Sequence, residues 1–179
     1  MTFRFDDVCI NSDMKLHNQM TDYLFEKFSG CKIIWAISPL VRSNQKEEQR
    51  VFPCLWNACS DKQVHYHLDS FGIPEIPISV YPATHGLVHI DHRLLGYEAQ
   101  QLSIILSASL IKNVLFFVPP FNKWNSDTEK ICEENKIELI KFEDGWLSME
   151  HNKFDDHSGK WYLHARQWTM ETLKNWFEK

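Results

Sequence analysis

The chain has 179 residues, 44% of them hydrophobic and 24% charged, with a formal net charge of −5. That is one domain's length with material for a real core, so 1–179 is read as a single domain. The acidic balance and the lack of a basic run exclude an ordinary nucleic-acid binder, and no apolar run is long enough to span a bilayer.

Residues 2–7 predict a short buried strand. Ser12 or Asp13 can cap a helix to about Phe28, with Leu16, Met20, Leu24 and Phe28 along one face. Gly30 suits its stop. Lys32 to Ile37 is apolar on both faces, as in a parallel sheet covered by helices, and Pro39 ends it. Residues 42–50 are charged and fit a short exposed helix. From Val51 to Tyr81 the pattern is broken by Pro53, Gly72, Pro74 and Pro77, although Val64 to Leu68 alternates like a strand. Gly96 to Lys112 predicts a deeply buried helix, apolar over most of its circumference. Val114 to Val118 predicts a buried strand, and 119–124 a loop. Ser126 and Glu129 form a capping box for a helix to about Asn135. Ile137 to Phe142 is a further strand and 147–159 a polar loop. Trp161 to His164 is the last strand. Thr169 caps a closing helix, with Trp168 stapled on Leu173. Strands alternating with helices predict an α/β fold with a mainly parallel sheet.

Five cysteines (Cys9, Cys31, Cys54, Cys59, Cys132) lack paired motif spacing, and no basic, apolar leader follows Met1. Reduced thiols and a cytoplasmic location are expected. Aromatic residues reach 13%, with seven Trp, which suits a large core or a groove for flat ligands such as sugars.

Two stretches carry chemistry. Asp6 and Asp7 follow an aromatic strand directly, and a strand's carboxyl end is where an α/β barrel keeps its active site. Alternatively they cap a turn. His85 and His89 would lie about 13 Å apart on a straight strand. On a helical turn they would lie about 6 Å apart on one face, within reach of one divalent ion such as zinc. Gly86 permits the unusual backbone such a turn needs. The pair could equally pack or face solvent. His164 and Asp144 also stand just after presumed strands. Asp91 and His92 could extend a metal site, orient a ligand histidine, or start a surface helix.

In order along the chain, these pieces resemble the polysaccharide deacetylases of carbohydrate esterase family 4, the chitooligosaccharide-deacetylase-like group. The family's T-F-D-D strand end is similar to Arg4-Phe5-Asp6-Asp7, and its H-[ST]-x-x-H to His85-Gly86-Leu87-Val88-His89. R-x-P-[YF] is approximated by Val118-Pro119-Pro120-Phe121, an Asp-Trp pair by Asp144-Gly145-Trp146, and a late Leu-His by Leu163-His164. The resemblance implies an incomplete or distorted (β/α) barrel. It implies Asp7, His85 and His89 as metal ligands, Asp6 as base, His164 as general acid and the Phe121 N–H at the oxyanion. It suggests Asp144 as the partner of His164. Trp124 and Trp146 lie in loops beside the proposed site and could form a sugar-stacking wall or belong to the core. Departures stand beside it. Val118 replaces the arginine that steadies the base, with Arg4, Arg93, Lys123 and Arg166 as candidate stand-ins. Gly86 replaces a hydroxyl residue. The chain is also short for the family, so an open groove is expected, and exposed barrel remnants would favour a homo-oligomer.

The function expected is metal-dependent removal of an acetyl group, N-acetyl first, from a sugar or glycan precursor. The alternatives are hydrolysis of another amide or ester on the same scaffold, and a non-catalytic carbohydrate-binding relative.

Overall fold

The computed structural model describes residues 1–43, 65–87, 89–155, 157, 159–164 and 167–178. In chain order the elements are β1 (Thr2–Val8), α1 (Met14–Lys27), β2 (Lys32–Ile37), β3 (Leu40–Ser43), β4 (His65–Phe71) and β5 (Tyr81–Thr84). They continue with α2 (Tyr97–Leu110), β6 (Phe116–Phe117), α3 (Ser126–Glu134), β7 (Glu138–Leu139), β8 (Leu147–Ser148), β9 (Lys160–His164) and α4 (Met170–Phe177). Seven strands form one sheet in the order β7-β6-β5-β2-β1-β9-β8, and every neighbouring pair is parallel. The curled sheet with its helices is an incomplete (β/α) barrel. β3 and β4 form a separate antiparallel pair. Among the described residues no helix is long and apolar enough to cross a membrane.

Strand alternation divides the core. Phe3 and Phe5 of β1 join Ile33, Trp35 and Ile37 of β2 and Trp161 and Leu163 of β9 beneath α1 and α4. Met20, Leu24, Leu173 and Trp176 close this layer from the helix side. Fully burying each such side chain contributes about 1.5–3 kcal/mol. Ile34, Ala36, Ala83, Val118 and Tyr162 form a second cluster with Trp146. Arg4, next to Phe3 and Phe5, points to this opposite face and is also fully buried. A third cluster packs Ile104 of α2 and Ile131 and Cys132 of α3 on Phe117.

Several elements differ from their sequence reading. Arg42 and Ser43 belong to β3 rather than to a helix, while 44–50, Cys54 and Cys59 lie outside the described residues. The 114–118 and 137–142 strands shrink to two paired residues each, and Leu115 is 57% exposed. The polar loop 147–159 contains β8. The cap of α3 is Asn125, whose side chain accepts the Thr128 N–H at 3.1 Å, not Ser126. α2 turns Ala99, Gln100, Ser103, Ile104 and Ser107 inward, leaving Leu102, Ile105 and Leu106 half-buried rather than deep.

Candidate metal centre and active site

β1 sets two adjacent acids toward one site, which a regular strand cannot do because neighbours alternate between faces. Its register with β2 runs Phe5↔Trp35 and then Val8↔Ile37, so one extra residue is accommodated in β1. That β-bulge, with Asp7 in the left-handed region at φ 62°, re-aims Asp7. Asp6 keeps the facing of Arg4, two residues before it, and pairs across the sheet with His164 of β9.

The Asp6 carboxylate is 3% exposed and receives both arms of Arg4, Nε to Oδ1 and Nη2 to Oδ2, each at 2.8 Å. Arg4 Nη2 also donates to Asn122 Oδ1 at 2.8 Å. The guanidinium lies 4.9 Å from the Trp146 ring centroid and 4.8 Å from that of Tyr162. Arg4 is therefore the arginine that grips the expected base. Of the other stand-ins, Arg93 pairs with Asp91 at 2.8 Å on the surface, Lys123 is exposed, and Arg166 lies outside the described residues.

Asp7, His85 and His89 come together. Asp7 Oδ1 lies 3.5 Å from His85 Nε2 and 3.1 Å from His89 Nε2, and the three donor atoms all lie within 4.8 Å of one another. Two ligand atoms around one tetrahedral zinc sit about 3.4 Å apart, which these two spacings bracket. The segment is not the expected helical turn. It is a loop that leaves β5 through Gly86, at φ 77°, and bends at Leu87 and His89.

His85 is 2% exposed, and its Nδ1 lies 2.7 Å from the Val118 carbonyl. A carbonyl only accepts, so Nδ1 carries a proton, and Nε2 is the nitrogen turned to Asp7 and left to ligate a cation. Burial opposes charge on Asp7, but the His85 hydrogen bond and the nearby His85, His89 and His164 outweigh it. They hold its carboxyl well below the usual range. A carboxylate with two imidazole nitrogens suits a divalent cation.

His164 closes the other side. Glu150, from the stretch read as a loop, accepts its backbone N–H at 2.7 Å and lies 3.4 Å from its Nδ1. Glu150 also accepts from Trp168 Nε1 and from the Ser148 hydroxyl. Burial works against the Glu150 charge, yet these donors pull its pKa down to about 2. The Glu150 contact in turn raises His164, against its own partial burial. Sequence reasoning missed Glu150. Its carboxylate occupies the position expected of Asp144, which instead is exposed and caps the 142–144 turn by accepting the Lys141 N–H at 3.2 Å.

Phe121 has φ 58° and ψ 14°, and its ring meets His89 edge-on at 4.4 Å. Trp146 is 4% exposed and packs on Arg4, so it is core rather than an open wall. Trp124 is half-buried and hydrogen-bonds Glu129 of α3. Asp91 caps the 92–94 turn, and His92 is fully buried rather than on a surface helix start.

Parallel strands with an Asp–His–His cluster at their carboxyl edge define the class: an incomplete (β/α) barrel with a candidate metal centre. No protein-family model and no curated protein matches this sequence. Solved structures do match the fold. A family 4 carbohydrate esterase from Streptomyces lividans, solved with acetate, aligns at TM-score 0.57 and 14% identity over 98% of this chain and 83% of its own. A family 4 pseudoenzyme from Bacillus anthracis aligns at 0.57 and 13%, over 97% of this chain but 57% of its own. A chitin deacetylase from Colletotrichum lindemuthianum aligns at 0.52 and 12%, over 98% and 81%. The fold is that of the family 4 carbohydrate esterases.

Proposed function

We propose that this chain is a metal-dependent hydrolase that removes an acetyl group, N-acetyl first, from a sugar or glycan precursor. The observation that carries this reading is the Asp7–His85–His89 cluster flanked by a clamped Asp6 and a carboxylate-held His164. Asp7 Oδ1 and the Nε2 atoms of His85 and His89 would hold a divalent cation, zinc in our reading. When bound, it supplies Lewis acidity toward an acyl oxygen and lowers the pKa of water.

The chain's own groups do the rest. Asp6, fixed by Arg4, takes a proton from the water whose oxygen joins the acetyl carbon. The Phe121 N–H donates to the oxygen on which negative charge develops. His164, kept protonated to higher pH by Glu150, gives a proton to the departing sugar amine as the C–N bond breaks. The products are acetate and the free amine. Acetate is the molecule bound in the Streptomyces lividans esterase. Trp124 is the remaining candidate for contact with the sugar. The fold likeness to a pseudoenzyme keeps a second reading in view, a sugar-binding relative without turnover.

The test is elemental analysis of protein purified without added metal, followed by acetate release from N-acetylated chitooligosaccharides. About one divalent ion per chain is expected, lost in His85→Ala/His89→Ala. Asp6→Asn should retain the ion and lose turnover about 10²–10⁴-fold. An unchanged metal content in the double variant would sink the site. Metal with no acetate release from any acetylated sugar would favour the binding protein.

A further inference from the structure

The loop that carries His85 and His89 is braced from behind. The His85 N–H donates to the Ile37 carbonyl at 2.8 Å, and the Gly86 N–H to Thr84 Oγ1 at 3.2 Å. The Leu87 N–H is shared between Ser103 Oγ at 3.0 Å and the Ser103 carbonyl at 3.1 Å. Ser103 stands on the inward face of α2 with no exposed surface. Beyond it lies His92, also fully buried, with Nε2 3.1 Å from Ser103 Oγ and Nδ1 3.0 Å from the Ile90 carbonyl.

The direction of these bonds is fixed. The Ile90 carbonyl only accepts, so His92 Nδ1 carries the proton and Nε2 offers a lone pair. The Ser103 hydroxyl then donates to Nε2 and accepts from Leu87. The chain runs from Leu87 N–H through Ser103 and His92 to Ile90, and Leu87 and Ile90 flank the ligand His89 on either side. Gly86 has no side chain with which to brace the loop from within. A buried serine and a buried histidine in this arrangement are costly to leave unpaired, which makes their geometry specific.

We propose that Ser103 and His92 form a positioning clamp that fixes the backbone around His89, and so sets how tightly Asp7, His85 and His89 hold a divalent cation. This rests on the metal-site reading above. Neither residue touches the cation site, so the role is positioning rather than catalytic.

The experiment measures zinc affinity of the apo chain by competition with a chromophoric chelator. The proteins are wild type, Ser103→Ala, His92→Phe and the double variant. Exchange of the Leu87 amide is followed by NMR without metal. Each single change should weaken zinc about tenfold, the usual scale for groups that orient a ligand from outside the coordination sphere. Because both act through one chain, the double variant should also lose about tenfold, not a hundredfold. Leu87 exchange should accelerate in all three. A role in stability alone would lower the apo unfolding midpoint and leave affinity unmoved, which overturns the clamp. Affinity losses that multiply in the double variant would overturn it too. Wild-type protein that binds no zinc would overturn the metal site and the clamp together, and is told apart by the wild-type titration itself.

Discussion

At the scale of single residues, Arg4 and Asp6 make the sharpest energetic statement. Both are buried, both Arg4 contacts to the carboxylate are 2.8 Å, and the guanidinium lies against Trp146 and Tyr162. Removing one member of such a pair strands a charge away from water, at a cost of about 3–5 kcal/mol. Arg4→Met should therefore lose about that much in urea unfolding, although Met fills much of the same volume. Adding Asp6→Asn removes the stranded charge, so Arg4→Met/Asp6→Asn should recover part of the loss. Arg4→Lys should fall between, because an ammonium cannot present a two-pronged fork to the carboxylate. An Arg4→Met variant as stable as wild type would show that the pair is not gripping Asp6. The arrangement also explains how Val118 can stand where the family resemblance predicts an arginine: the cation that grips Asp6 comes from Asp6's own strand, two residues earlier.

At the scale of elements, α3 offers a clean test of which residue starts a helix. Asn125 accepts the Thr128 N–H at 3.1 Å, while its own N–H reaches Thr128 Oγ1 at 3.3 Å. Asn125→Ala should cost about 1 kcal/mol of stability and Ser126→Ala only a few tenths, read by chemical unfolding. Equal effects would reject the observed cap. The sequence pattern pointed one residue late because Ser126 and Glu129 also fit the box. Legibility elsewhere followed the same physics. β2 is a continuous apolar run bounded by Gly30 and Pro39, and its observed range is the predicted one. β8 is two residues long, and only pairing with β9 makes it a strand. Glu150 was hidden for that reason, since nothing local marks a carboxylate in a polar stretch as the partner of His164. Asp7, His85 and His89 were legible as residue types, but the β-bulge that turns Asp7 was not. Hydropathy overstates the depth of α2, because its inward face carries Ser103 and Ser107, whose hydroxyls meet the Leu87 amide and the Thr84 hydroxyl.

At the scale of the whole molecule, the buried and paired titratable groups fix how stability follows pH when no metal is bound. His92 is enclosed, and burial first, helped by nearby His85, lowers its pKa from 6.5 to about 4 despite its bond to Ile90. The unfolded chain takes that proton first, so stability is lost as pH falls from about 6.5 to about 4, by about 3 kcal/mol in all. Glu150 works lower down. Its contribution is present above its ordinary 4.5 and is lost as pH falls toward about 2. Asp7, also held low, acts below its ordinary 3.8. His164 has the opposite sign: its raised pKa contributes fully below 6.5 and is lost as pH rises through the raised value. Apo stability should therefore climb from pH 4 to about 6.5 and decline above it. His92→Phe should flatten the climb but keep the decline, and Glu150→Gln should flatten the decline but keep the climb. Urea midpoints measured in chelator across pH 4–9 separate the two limbs. A His92→Phe protein that still lost wild type's full stability between pH 6.5 and 4 would mean that His92 is not held neutral in the fold.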